Sequence, residues 1–209
     1  MRHGFFLFCL LWSAHTSAAP APLLSQFPPV VPLHQDLVAV DYFNAGRQSG
    51  CGLRMTGEPE EKVWINVLVS VFLKETGLTF GIFKVAAKKT EMKDGAPLLQ
   101  DGRITYSSSG KIHKAWLKTE SGEKTKFLAN GKLSHNDGYM ATMDFASTMD
   151  LLAAIPQGSI RVGIVRNEES AEDIFEFNEL INPLEASKLL TCMKNLRNAI
   201  EEGKRGKSS

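Results

Sequence analysis

The sequence predicts an α+β domain: an antiparallel β-sheet, or a compact β-sandwich, with a C-terminal α-helix packed on it. Three observations carry this. Val63 to Leu73 is a dense apolar run whose odd positions Val63, Ile65, Val67, Val69, Val71 and Leu73 are all aliphatic. Side chains alternate across a strand, so that run has one wholly apolar face and reads as a central strand of about 36 Å. Short alternating segments separated by turn residues follow it. The chain then closes on Leu189, Cys192, Met193, Leu196 and Ile200, which recur at helical spacing.

Before the central strand, residues 1–18 read as a secretory signal peptide. Met1-Arg2-His3 is a short positive region, Phe5 to Trp12 is apolar, and Thr16-Ser17-Ala18 offers small residues for cleavage between Ala18 and Ala19. About 8 apolar residues reach only about 12 Å as helix, against about 30 Å of hydrocarbon, so no stable membrane span is expected. The mature chain is therefore expected in the periplasm or released outside the cell. Residues 19–37 hold Pro20, Pro22, Pro28, Pro29 and Pro32 and read as an extended spacer. One globular domain is expected over 38–203, with a basic, disordered tail over 204–209 carrying Lys204, Arg205 and Lys207.

Within the domain, Leu37 to Tyr42 reads as a first strand, and Gly46, Gly50 and Gly52 around Cys51 mark close backbone approach. Lys74-Glu75-Thr76-Gly77 reads as a hairpin connection, returning through Leu78 to Val85. From Ala86 to Asp101 the alternation dissolves and a loop is expected. Ile112 to Leu117 and Lys124 to Ala129 flank Glu120-Ser121-Gly122-Glu123 as a second hairpin, with further turns at Asn130-Gly131 and Asp137-Gly138. Tyr139 to Phe145 reads as a strand, and a short helix starts near Ser147 and stops at Pro156 and Gly158. Ile160 to Val165 and Ile174 to Leu180 are strands around an acidic loop. In the final helix Asn182 caps, Pro183 takes the first position, Glu185 completes a capping-box-like pair, and Gly203 lies past the end.

Loss of the signal peptide removes Cys9 and leaves two cysteines, Cys51 and Cys192. In an oxidising compartment these are expected to form a disulfide that fastens the last helix beside the segment entering the central strand. The absence of a Cys-x-x-Cys pair supports neither a redox nor a zinc site.

Chemistry is hard to find in the remaining residues. Ser108-Ser109-Gly110-Lys111 and Ser121-Gly122-Glu123-Lys124 both match a Ser-x-x-Lys pattern, but both fall in turns, where the helical spacing that would bring lysine to serine does not hold. His34, His113 and His135 stand singly, without metal-ligand spacing, and no phosphate loop or nucleophile elbow is present. No catalytic residue, metal or cofactor is expected, and a hydrolase using Ser108 or His135 is the least favoured reading. Trp64 and Trp116, with Tyr106 and Phe72, read first as core residues covered by a second sheet or the terminal helix, and otherwise as an exposed aromatic patch; in that second reading Trp64 and Trp116, with the His135–Asp137 turn, are the candidate binding residues. Lys and Arg number 24 against 23 Asp and Glu, a formal net charge of +1, which offers no field for nucleic acid.

The segment Asp144 to Ile164, with Leu151-Leu152-Ala153-Ala154-Ile155 before Gly158, together with Ile174-Phe175-Glu176-Phe177-Asn178-Glu179-Leu180 and the terminal helix, resembles the closing part of exported bacterial proteins of the invasion-associated locus B type. The resemblance covers about the last third of the chain, and that family's repeated cysteine pattern is absent. It implies a periplasmic β-rich domain without catalysis, and it carries over no site residues. The expected function is a non-catalytic exported protein that acts through surface contacts with a protein partner, as an accessory of an envelope or secretion assembly. A carrier of a small ligand held between sheet and helix is the alternative.

Overall fold

A computed structural model of the chain describes residues 30–59, 63–129, 131–133, 137–166, 171–178 and 181–205. The expected signal peptide, its cleavage site at Ala18 and Ala19, His135 and the last four residues lie outside these.

Four long strands form the body: β1 (Val30–Asn44), β2 (Arg47–Pro59), β3 (Val63–Leu73) and β4 (Thr79–Thr90), each antiparallel to the next. β3 is central, as its alternation requires. Ile65, Val67, Val69 and Val71 are fully buried, and their cross-strand partners Met55, Leu53 and Cys51 on β2 and Val85 and Phe83 on β4 are buried with them. After β4 come β5 (Met92–Lys93), β6 (Ala96–Pro97), β7 (Leu99–Gln100), β8 (Arg103–Ile104), β9 (Tyr106–Ser108), β10 (Lys114–Thr119), β11 (Lys132–Leu133) and β12 (Tyr139–Met143). Helix α1 (Phe145–Ala154) runs into a 3-10 turn over Ile155–Gln157, followed by β13 (Ile160–Val165), β14 (Asp173–Phe177) and the long helix α2 (Pro183–Arg205).

One sheet path runs β10-β13-β14-β1-β2-β3-β4-β12-β11. β1 joins its two halves. Val30 to Pro32 pair with β14, the parallel contact in an otherwise antiparallel path, and from Leu33 onward β1 pairs with β2. The segment over residues 124–128 bridges the two ends of the path: Thr125 donates its N–H to Leu117 of β10, and Leu128 donates to Thr142 of β12. The sheet therefore curls around a single core, into which β10, β13 and β14 contribute Leu117, Ile160, Val162, Ile164, Phe175 and Phe177.

Both helices pack on the inner face. Asp144 caps α1, its carboxylate accepting the Ser147 N–H at 2.8 Å, so the helix starts at Phe145 and not near Ser147. Thr148 of α1 is fully buried against Gly81 of β4, where a Cβ would run into its side chain, so α1 sits close only because residue 81 is glycine. α2 starts as expected: Asn182 Oδ1 accepts the Leu184 N–H, and Leu189, Cys192, Met193 and Leu196 are buried. Glu185 does not close a capping box. Its carboxylate reaches across to accept the Ala39 N–H of β1 at 2.8 Å, satisfying a strand edge that β14 has already left. Cys51 and Cys192 form a disulfide, with Cα atoms 5.8 Å apart.

Several expectations change. The stretch read as spacer ends early, because β1 begins at Val30 and takes in residues 30–37. β2 was not anticipated as a strand. Gly203 falls inside α2, which runs through Lys204 to Arg205 where a tail was expected. The expected loop over 86–101 is the end of β4 followed by two tight hairpins, β5–β6 and β7–β8, each turning on Asp-Gly with both residues at positive φ (Asp94 52°, Gly95 81°; Asp101 53°, Gly102 73°). Their bases interlock at a spacing of seven residues. Leu98 N–H donates to Glu91, Thr105 N–H to Leu98, and Glu91 N–H to Thr105, at 2.8–3.0 Å. This three-way junction lets two short arms branch from the β4–β9 pair without leaving its backbone groups unpaired.

A candidate binding face on the outer side of the sheet

The even-numbered positions of β3 point away from the helices, and the register extends them into rows across the sheet. The row nearest the β1–β2 and β3–β4 turns is Tyr42, Gly50, Phe72 and Phe80. Tyr42 and Phe72 have ring centroids 4.7 Å apart, Phe72 and Phe80 stack at 5.5 Å, and the Lys74 ammonium lies 5.2 Å from the Phe80 ring. Gly50 makes this ladder possible: a Cβ there would stand 2.8 Å from the Phe72 ring. All three aromatics remain half-exposed. Beyond them, Phe43 and Leu78 are 63% and 57% exposed, so the apolar surface continues around the turns.

The next row is Val40, Gly52, Ser70, Ile82 and Thr142. It is low in the middle, since Gly52 has no side chain and the fully buried Ser70 hydroxyl lies 3.2 Å from the Tyr42 hydroxyl, which roofs it. The third row is Val38, Arg54, Leu68, Lys84, Met140 and Lys132, alternating apolar and cationic over six strands. Charge on this face is mainly positive, with Lys88 nearby and Asp36 as an opposing carboxylate. The ion pairs among the described residues are Arg161–Glu176, Arg166–Asp173 and Lys188–Glu185, none of which uses these cations.

The four aromatics read as core or, alternatively, as one patch do not all lie together. Trp64 packs edge-on to Tyr106 at 6.0 Å at the far end of β3, eight residues along the strand from Phe72. Trp116 is on β10, in the other half of the sheet path. It lies flat over Gly163, donates its indole N–H to Glu172, and has the Lys124 ammonium 5.5 Å from its ring. Its polar and apolar surfaces are already partnered, which makes it a packing residue. Asp137 holds φ at 59°, and its carbonyl accepts the Ile112 N–H; its suggested partner His135 lies outside the described residues. Sequence reasoning missed Tyr42 and Phe80 as ladder members; their alternation with Phe72 becomes visible only once the register of β1 and β4 is known.

Among the described residues no catalytic grouping supports the serine patterns. Ser108 is exposed, and its hydroxyl accepts the Gly110 N–H within the turn. Among the described residues no three His, Cys, Asp or Glu side chains form a metal-binding group. An open cleft of about 870 Å³ lies where the C-terminal end of α2 meets the two hairpin turns, lined by Leu73, Ile200, Arg47, Gln48, Lys74 and Glu75 among others. Two carboxylates hold depressed pKa values for structural reasons. Asp144 is lowered chiefly by the Ser147 backbone N–H, and Glu185 chiefly by its hydrogen bond from Lys188 and then by the Ala39 N–H. No helix among the described residues is long and apolar enough to cross a membrane. No protein-family model matches the chain, and no curated protein or solved structure matches it.

Proposed function

We propose that the mature protein is an exported, non-catalytic domain, periplasmic or secreted, that binds a partner protein through the outer face of β1–β4 and β12. The observation that carries this reading is the half-exposed Tyr42–Phe72–Phe80 ladder, continuous with the exposed Phe43 and Leu78. Aromatic side chains left open to water on a rigid sheet are what a protein interface draws its binding energy from. Both helices lie on the opposite face, and the disulfide and core make the sheet a fixed platform. Export is supported by the N-terminal pattern and by the use of the two remaining cysteines. The reading as an accessory of an envelope or secretion assembly is motivated by the N-terminal export pattern and the Pro-rich stretch that follows it.

The test is site-specific photocrosslinking in the native host, with a benzophenone amino acid at Phe80 and, as control, at the exposed Lys194 on α2. The Phe80 position should give a discrete protein-sized adduct that the control does not. Identical products from both positions, or none from Phe80, would refute the docking role of this face. The cleft at the end of α2 favours small-ligand carriage as a second reading. A small mass retained in native mass spectrometry and lost on Ile200→Glu substitution would move that reading ahead.

A further inference from the structure

We propose that the partner contributes an acidic extended segment of polyproline II form, with a carboxylate at every third residue, laid along the Arg54–Lys84–Lys132 row across the strands. This rests on the docking role of the outer face and names the chemistry of its occupant. The register places Arg54 on β2, Lys84 on β4 and Lys132 on β11, two strands apart in each step, with Leu68 and Met140 between them. Neighbouring strands are about 4.8 Å apart, so the cations recur about every 9.6 Å, near the Debye length at physiological salt. They are like charges in line, without a carboxylate partner among the described ion pairs. At that spacing salt screens most of their mutual repulsion, so each cation acts as a separate position for an anion from outside.

The repeat selects the conformation of the segment. One face of a β-strand recurs at about 6.7 Å, out of step with the row, whereas a polyproline II helix recurs at three residues or about 9.3 Å. Such a segment also has little order left to lose on binding. Its remaining faces would meet Leu68 and Met140 in the row and the low middle row at Gly52, beside the aromatic ladder, and aromatic surfaces are the usual bed for polyproline II chains. Lys and Arg tips are long enough to follow the sheet's twist.

The probe is a fluorescein-labelled (Pro-Pro-Glu)4 peptide, read by anisotropy against the full mature chain at low and physiological salt. It should bind, weaken as salt rises, and lose about tenfold in affinity in the R54E/K84E variant, the size expected for two exposed ion pairs turned repulsive. Both residues lie on the solvent side of the sheet, and the variant should in turn prefer (Pro-Pro-Lys)4, which a merely misfolded protein would not do. Four results would overturn the proposal: no binding of (Pro-Pro-Glu)4 at low salt, equal binding of a (Pro-Glu)6 peptide, tighter binding of a helical acidic heptad peptide, or tighter binding to phosphatidylglycerol vesicles. If the peptide fails while Phe80 still crosslinks to a protein, the docking face stands and only the acidic segment is lost. Failure of both removes the face.

Discussion

Removing the Cys51–Cys192 bridge should cost this domain a large share of its stability without dismantling the native structure. The bridge closes a loop across a sequence separation of 141 residues. On the chain-entropy account, such a cross-link denies the unfolded ensemble conformations worth about 5 kcal/mol, an upper figure where the unfolded chain keeps structure. A domain of this size loses about 2–4 °C of Tm per kcal/mol, so the C51A/C192A variant should melt about 10–20 °C lower. The native state should survive, because Leu189, Met193 and Leu196 hold α2 on the core beside the bridge. The assay is thermal and urea unfolding followed by circular dichroism, on the variant and on the parent chain with reductant. The aromatic near-ultraviolet fine structure should persist at 25 °C once the disulfide's own broad band is lost, and the urea slope should rise as the unfolded chain expands. A Tm drop below about 3 °C would refute the entropic reasoning. Loss of the aromatic fine structure at 25 °C would show that the bridge, and not the buried stripe, is what docks the helix.

Other perturbations follow from single contacts. Gly81→Ala forces a methyl into Thr148 and should destabilise by about 1–3 kcal/mol, measured by urea unfolding, with partial recovery in the Thr148→Ala background. Glu185→Ala removes the acceptor of the Ala39 N–H, so hydrogen exchange should quicken at Ala39 while Leu53, its partner on β2, stays protected. Asp144 and Glu185 titrate below their ordinary values in the folded chain, so the unfolded chain binds more protons in mild acid. Their contribution is full above the ordinary carboxylate range and is lost as pH falls through the depressed values. Asp144→Asn, which keeps the cap acceptor, should flatten that acid limb in a plot of stability against pH.

Where side-chain periodicity was pure, the fold was legible. The alternation of β3 and the stripe of α2 placed both elements on the right face, and the cysteine count, read with an exported chain in mind, paired Cys51 with Cys192. β2 was lost because its first outer positions Gly50 and Gly52 carry no side chain, so the alternation of inward Leu53 and Met55 with outward Arg54 and Thr56 spans only its second half. The hairpins after Thr90 were lost for a different reason: the signal was present in Asp94-Gly95 and Asp101-Gly102, but two-residue strands are too short to show a period. The binding face was half seen. Phe72 was singled out, yet its neighbours Tyr42 and Phe80 are set by pairing register, which a sequence states only through its turns, while Trp64 and Trp116 were grouped by chemistry and are separated by topology.

The strand that joins the two halves of the sheet also sets the order in which this chain can be completed. β1 needs β2 on one side and β14 on the other, and Val30 meets Ile174 only after nearly the whole domain is available. The local meander β1–β4 can form early, but α1 covers only its β3–β4 side, and the β1–β2 side stays uncovered until α2, the last element, arrives. Contacts of such sequence separation slow folding, because loop closure is opposed by entropy before any burial compensates it. A polypeptide emerging from a ribosome would thus remain open until its last fifth is free, a more extended and accessible state than the finished, curled sheet.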